Sequence, residues 1–501
     1  MGWWSNPQDI KSAEQIEEVN AAFPTIEKFG ENLTPNLRAL RLAMTASDVL
    51  LSMGVSANSV VSKALDITET YCQRPVHVDI NANVLMLSQL RGIDKEPLTL
   101  IRPVALREVN YMTVQSVQRL IYEIRSGQFS LDEAEAELEK VLQKPARYPW
   151  WLIMIGNAGI ATGVSLMFTK SWEVVLTTFV IGMMVDRLLA LLVRNAIPAF
   201  FRQIAAAAFA TFMAAIIALL AKNGATFFAD ANPTLIVVGG IIMLVAGLVI
   251  VGAIQDAIEE YYVSATARIM KVVMLTTGIV VGILIGLYTA RKLGFGIAVS
   301  ADPLTLNGLD FQIAGAGIAA ASYALATHTR IKAVLWAGLI GGSALAVMYS
   351  AREYDISVVP ASGVAAILIG LMGALLSRLW QTPSSGIIAA GIVPLVPGLA
   401  LYNGLMQLVN YPPGDPLFAR GLGTLFTALA TAIAIAAGAS FGSMIGRPLH
   451  QKIAHNRNMV PFRDFMRKQL KVSHRRSLFK FLYAREQRVE SVANEETKPQ
   501  A

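Results

Sequence analysis

The sequence predicts an α-helical polytopic membrane protein: ten transmembrane helices as two inverted five-helix repeats, preceded by a small cytoplasmic α+β domain. Three observations carry that prediction. Of 501 residues, 54% are hydrophobic and 15% charged, against about a quarter charged in ordinary soluble domains. The long apolar runs all lie after Tyr148. One eight-residue segment recurs within that apolar region.

Residues 1–35 set Pro7, Pro24 and Pro35 among scattered charges, which predicts a mobile arm with one helix near 13–23. Residues 36–147 carry charge at soluble density and form the predicted α+β domain. Leu40, Ala43, Met44, Val49, Leu50 and Leu51 recur at helical spacing up to Gly54. Ser56 is placed to cap a second helix running to Tyr71. After Pro75 the period becomes two: Val76, Val78 and Ile80 face one way, and His77, Asp79 and Asn81 the other. Residues 84–90 and 97–104 read as further strands. Helical spacing returns over 114–126 and stops at Gly127, and Ser130 with Glu133 forms a capping box for a helix to Leu142.

Ten apolar stretches follow, at 149–168, 172–193, 203–221, 234–255, 269–289, 312–328, 331–349, 357–377, 385–408 and 421–445. About 20 residues cross about 30 Å of hydrocarbon; the sixth and seventh are short. The stretches divide into a first repeat, 148–290, and a second, 310–446. Residues 447–501 hold 13 Lys and Arg against 5 Asp and Glu, so the whole net charge of +7 belongs to this tail. That distribution argues against a nucleic-acid partner. A basic tail beside a span follows the positive-inside rule and touches anionic lipid, which predicts cytoplasmic termini. The single cysteine, Cys72, excludes an intramolecular disulfide, and the start of the chain carries no cleavable-signal pattern, so the first domain is expected to stay in the cytoplasm.

Residues 240–247, Gly-Ile-Ile-Met-Leu-Val-Ala-Gly, align with 391–398, Gly-Ile-Val-Pro-Leu-Val-Pro-Gly, at five of eight positions, and Ala267-Arg268 aligns with Ala419-Arg420. Two halves of five spans result, and the odd number inverts the second half. Pro394 and Pro397 each remove a backbone donor and clash with the preceding turn. A broken helix at that depth needs protein or a water-filled cavity to satisfy its carbonyls, as transporters arrange around a binding site. Met243 and Ala246 stand where the prolines stand in the other half. Only the second-half helix is therefore expected to be strongly broken.

The candidate substrate-binding residues are Asn157 at mid-depth in span one, Pro394, Pro397 and Gly398 at the break, and Tyr402, Asn403 and Gln407 after it. Holding helices together is the alternative role for each polar one. Asp186, beside Arg187 in span two, and Asp256, at the inner end of span four, are the candidates for proton coupling. A local ion pair and a solvated acidic cluster are their alternatives. His77 and Asp79 share a strand face, which admits a hydrolytic or metal pair, but no nucleophile elbow, second histidine or metal spacing accompanies them. No catalytic residue, cofactor motif or metal site is predicted.

Leu-Leu-Ser-Met-Gly-Val-Ser at 50–56, His-Val-Asp-Ile at 77–80, Gln255-Asp256, Ser-Ala-Thr-Ala-Arg at 264–268 and Pro-Leu-Val-Pro-Gly at 394–398 resemble, in order and spacing, the bacterial threonine/serine exporter family. The resemblance covers about 37–445. It implies ten spans in the inner membrane, a cytoplasmic first domain, and export of threonine and serine driven by the proton-motive force. Its implied partners are those amino acids, protons and membrane lipids, with homo-oligomerisation left open. His77, Asp79, Gln255 and Arg268 enter as residues of the family motifs. A link to two-chain relatives makes export of a succinate-like dicarboxylate the alternative, and a membrane-anchored hydrolase built on the first domain is a second. A regulatory, gating or assembly role is a further reading of that domain. The chain departs from the family pattern after Asp256, where Ala257, Ile258, Glu259 and Glu260 replace expected glycines. The helix is accordingly expected to continue there, and the added carboxylates favour an ammonium-bearing substrate.

Overall fold

A computed structural model describes residues 34–455 apart from 73, 92–95, 106, 144, 146, 229–232, 243, 245–246, 295–305 and 380–383. The predicted arm and its helix near 13–23 lie outside the described residues up to residue 33, as does the tail beyond 455. The chain divides into two compact units, Met1–Gly446 and Arg447–Ala501. In the second, residues 447–455 are helical.

The polar part of the first unit contains α1 (Pro35–Ser52), α2 (Ala57–Tyr71), β1 (Val76–Asn81), β2 (Val84–Gln89), β3 (Leu98–Pro103), α3 (Tyr111–Arg125) and α4 (Leu131–Gln143). Proline opens α1, where its missing N–H was an orphan donor already. The strands form one antiparallel sheet in chain order, with His77 opposite Ser88. Val76 and Ile80 are buried while His77, Asp79 and Asn81 are exposed, as the period of two requires. Helix α3 starts three residues before the predicted 114, because the Asn110 side chain accepts from Thr113 N at 3.1 Å and caps it. The Ser130–Glu133 capping box forms, with Ser130 N donating to Glu133 Oε2 at 2.8 Å. Leu40, Leu50, Ile67, Leu85, Leu87, Ile121 and Leu138 make a common core; each such side chain contributes about 1.5–3 kcal/mol on burial.

The apolar part contains α5 (Trp150–Leu166), α6 (Trp172–Arg194), α7 (Ala199–Lys222), α8 (Pro233–Ile242), α9 (Gly247–Ile258), α10 (Tyr262–Lys292), α11 (Leu309–Ala326), α12 (Ile331–Glu353), α13 (Val358–Leu379), α14 (Ser384–Ile392), α15 (Gly398–Asn410) and α16 (Pro416–His455). Among the described residues, seven helices are long and apolar enough to cross a membrane, and eight crossings result when the bent pair α14–α15 counts as one. The expected ten is not reached on length. Helix α5 has 17 residues, and the fourth apolar stretch is divided between α8, with 10, and α9, with 12. Leu176, Val180, Met184, Phe426, Ile433 and Phe441 are exposed on these helices, as suits side chains whose solvent is lipid. The chain is a polytopic helical membrane protein.

Small residues set the helix packing, as they do where lipid removes the hydrophobic drive for association. A Cβ on Gly282 would lie 2.4 Å from Ile204 O and 2.8 Å from Ala207 Cβ; one on Gly286 would lie 2.8 Å from Ala208 O. Later in the chain, a Cβ on Gly438 would lie 2.3 Å from Gly363 O and 3.1 Å from Ala366 Cβ; one on Gly442 would lie 2.1 Å from Ile367 O. Gly363, Ala366 and Ile367 each follow Ile204, Ala207 and Ala208 by 159 residues, and Gly438 and Gly442 follow Gly282 and Gly286 by 156. The α7–α10 contact thus recurs, residue for residue, between α13 and α16.

Candidate functional site

Two membrane helices are interrupted. Helix α14 ends at Ile392, a single tight turn covers Val393–Leu395, and α15 starts at Gly398 after a bend of 48°. Pro394 and Pro397 cannot donate, so the ladder of helical bonds lapses there. Val396 is extended at ψ 127°, and Gly398 N donates to Val396 O at 2.8 Å.

The other interruption is at Leu244, between α8 and α9, in the stretch without proline where no strong break is expected from the sequence. Leu244 N turns back to Ile241 O at 2.8 Å, and Gln203 Nε2 on α7 donates to Leu244 O at 3.1 Å. A side-chain amide from a neighbouring helix replaces the lost bond, which is how membrane proteins tolerate irregular backbone. Gln203 escaped the sequence reading; its signal was a lone amide in an otherwise apolar span.

Gly240, just before the first break, packs on Ala210 and Ile181, and Gly391, just before the second, on Ile369 and Ile340. Tyr402 and Met406 of α15 share a buried cluster with Ile236, Ile241 and Leu244, so the helix after one break meets the segment at the other. Gln407 is buried and Asn403 half-buried on α15. The Oε1 atoms of Gln203 and Gln407, and Ser165 Oγ and Thr211 Oγ1, are buried without a hydrogen-bond partner among the described residues.

The other predicted residues fall into separate clusters. Asn157 Nδ2 donates to Asp186 Oδ1 at 2.7 Å, and Arg187 Nε donates to Asp186 Oδ2 at 2.9 Å. The Arg187 guanidinium also lies 4.9 Å from the Trp150 ring centre. Two residues predicted for different roles therefore hold one another between α5 and α6.

Asp256 is fully buried, with Arg268 Nε at 3.1 Å and the Ala57 backbone N–H facing its carboxylate, though neither oxygen has a well-formed hydrogen bond. Gln255 Nε2 reaches Glu259 Oε1 at 3.5 Å. The helix does not continue past this point as expected. Tyr261 N bonds to Asp256 O and Glu260 N to Ala257 O, and Glu260 takes a left-handed φ of 69°. This is the C-terminal stop usually given to glycine.

On the polar part, Asp79 accepts from Ile80 N at 2.8 Å and from Asn81 Nδ2 at 2.9 Å, so its carboxylate serves its own hairpin. No hydrogen bond joins it to His77 among the described residues. A histidine the sequence reading missed, His328 in the α11–α12 loop, is buried with both ring nitrogens unpartnered and stacks on Tyr148, 6.0 Å between centres. Burial, and then the charge of Arg147, push its pKa below the ordinary histidine value.

A family profile described as "Putative threonine/serine exporter" matches residues 41–290, and a second, "Threonine/Serine exporter, ThrE", matches residues 312–445. The chain is 32% identical over 420 residues to a "Probable threonine/serine exporter" of Mycobacterium tuberculosis, covering 82% of this chain and 77% of that one. It is 29% identical over 429 residues to a "Threonine/serine exporter" of Corynebacterium glutamicum, covering 85% of each. No solved structure matches it.

Proposed function

The chain belongs to the threonine/serine exporter family, and from that premise we propose that it exports threonine and serine across the bacterial inner membrane, driven by the proton-motive force, by alternating access between two inverted halves of five crossings. Its similarity to threonine/serine exporters supports the substrate class. The observation that carries the mechanism is the pair of interrupted helices that meet at one buried cluster. The recurrence of the α7–α10 contact between α13 and α16 supports the two halves. Both termini and the soluble elements then lie on the cytoplasmic side, as the basic tail suggests.

A zwitterionic amino acid needs an anion site and a cation site. Helix α15 restarts at Gly398 directly after extended backbone; with Gly398 N engaged by Val396 O, the N–H groups of Leu399 and Ala400 and the positive dipole end are left to face a substrate carboxylate. The unpartnered oxygens of Gln203 and Gln407 accept from the ammonium. Asn157 leaves this set, because Asp186 already engages it. Of the two acids, Asp256 is the one assigned to proton coupling: it is fully buried and, among the described residues, paired with Arg268, whereas both oxygens of Asp186 are held.

Counterflow into reconstituted vesicles with labelled threonine, serine and succinate tests this. Threonine and serine are expected to accumulate, faster under an imposed pH gradient, and Asp256→Asn to abolish that acceleration. Counterflow of succinate without threonine would replace the substrate with a dicarboxylate, and none with any of the three would overturn the transporter reading.

A further inference from the structure

The soluble elements touch both halves of the membrane part, and each time through the start of a helix. On the first half, the Ser56 side chain leaves the N-terminus of α2 uncapped, and the Ala57 N–H faces the buried Asp256 carboxylate. A second contact lies beside it. Ala82, at the β1–β2 hairpin tip in a left-handed conformation of φ 55°, donates its N–H to Ser264 Oγ of α10 at 3.2 Å. Tyr261 packs against the soluble core next to these two.

On the second half, the first two N–H groups of α3 are taken up by the α11–α12 loop. Tyr111 N donates to Thr327 O at 3.0 Å and Met112 N to His328 O at 3.1 Å. The Tyr111 ring lies against α14 at Gly386, where a Cβ would come within 2.9 Å of its Cγ, so only glycine admits the ring. Tyr323 and Ala389 pack on the soluble core, and Tyr148 OH donates to Thr329 O at 2.9 Å. Of the orphan donors that every helix start must satisfy somewhere, those of α3 are thus bonded by carbonyls of the second half, while the start of α2 faces a carboxylate of the first.

Alternating access moves one half against the other, and one core packed on both opposes that motion. We propose that the elements at 35–143 form a clasp that holds the two halves together on their own side of the membrane, and that at least one of its two contacts releases in each transport cycle. This rests on the exporter reading, and the structure then represents the state closed on the clasp side. Asp256 acquires a second use, as the membrane-part carboxylate that the uncapped start of α2 faces.

Two cysteine pairs in the full chain test the clasp, each in a Cys72→Ser background: Ala82→Cys with Ser264→Cys, and Met112→Cys with His328→Cys. Threonine counterflow is measured in the oxidised protein and again after dithiothreitol. Oxidation of at least one pair is expected to slow exchange about tenfold or more, reversibly, since a gating motion limits turnover. A pair that does not slow it marks the half with which the clasp travels. A control pair inside the sheet, Ser88→Cys with Thr99→Cys, whose hydroxyls lie 2.9 Å apart, is expected to leave exchange unchanged. Exchange within about twofold of the reduced rate with both clasp bonds fully formed overturns the clasp. Absence of threonine exchange in the reduced control protein instead overturns the exporter reading, so the two failures are distinct.

Discussion

At the α14–α15 break two prolines remove the donors of the helical ladder, whereas at the α8–α9 break the donors are present and an amide from α7 takes the place of the lost bond. A proline break is written into the local chain and survives any repacking of its neighbours. The amide break depends on one residue of another helix, Gln203. The glycine contacts differ too, the α13–α16 contact being the tighter. A Cβ on Gly442 would stand 2.1 Å from a backbone oxygen, against 2.8 Å at Gly286.

The largest expected effect follows from that last contrast. Gly442→Ala is expected to cost about 3 kcal/mol and Gly286→Ala about 1–2 kcal/mol, because the atom met is backbone and the helices must separate. Thermal unfolding in detergent reads both, and equal losses would remove the distinction between the two helix contacts.

Next is Gln203→Leu, which strands the Leu244 carbonyl and is expected to cost about 1–3 kcal/mol. Threonine exchange should fall with it. Pro394→Ala with Pro397→Ala is expected to reduce exchange while leaving the melting temperature near or above that of the parent, since donors are restored rather than stranded. A Gln203→Leu protein that melts and transports like the parent would show that the first break needs no support.

The two contacts differ also in what they offer the elements at 35–143: a carboxylate and a hydroxyl near α9 and α10, and the backbone carbonyls of Thr327 and His328 in the α11–α12 loop. His328 lies below its ordinary pKa of 6.5 through burial and Arg147, with Tyr148 stacked on it. When contact is lost the ring takes up a proton more readily than in the closed form. The contact is therefore at full strength above about pH 6.5 and weakens as pH falls below it. Hydrogen-exchange protection of the Tyr111 and Met112 amides should drop between about pH 7 and 5.5. His328→Asn, which tolerates the φ of 55°, should flatten the drop; an unchanged slope would assign the effect elsewhere.

The smallest effect concerns the end of α9, which has a left-handed Glu260 at its stop. Glu260→Gly is expected to stabilise by about 0.5–1 kcal/mol, the steric relief outweighing the entropy that glycine adds to the unfolded chain. Destabilisation would mean that the Glu260 side chain has a role of its own.

Sequence reasoning read best where the deciding interaction is short in sequence. The capping box at Ser130 and Glu133 and the alternation through Val76, Val78 and Ile80 involve residues two or three apart. The second break was legible at Pro394 and Pro397 for the same reason. Asn110 was missed as a cap, although its partner Thr113 is only three residues on, because α3 begins with Tyr111 and Met112 before its apolar period is established. At the candidate site the sequence offered a helix-holding role for Asn157 and a local ion pair for Asp186 as alternatives to transport roles; that the two bond to each other across two helices was not legible, because they are 29 residues apart.

By itself the sequence determined which segments are apolar enough to be helices in lipid, which segments form a sheet, where prolines interrupt a helix, and through its motifs the family. Those depend on hydropathy, periodicity and donor loss, all properties of a few neighbouring residues. Only the tertiary structure decided that the chain is interrupted at Leu244 too, that Gln203 sustains the interruption, and that Asp256 faces Ala57 across a separation of about 200 residues. Such pairings depend on which surfaces come into contact. In a bilayer, where burial against lipid and against protein differ little for an apolar side chain, close backbone approach and the satisfaction of polar groups make that choice.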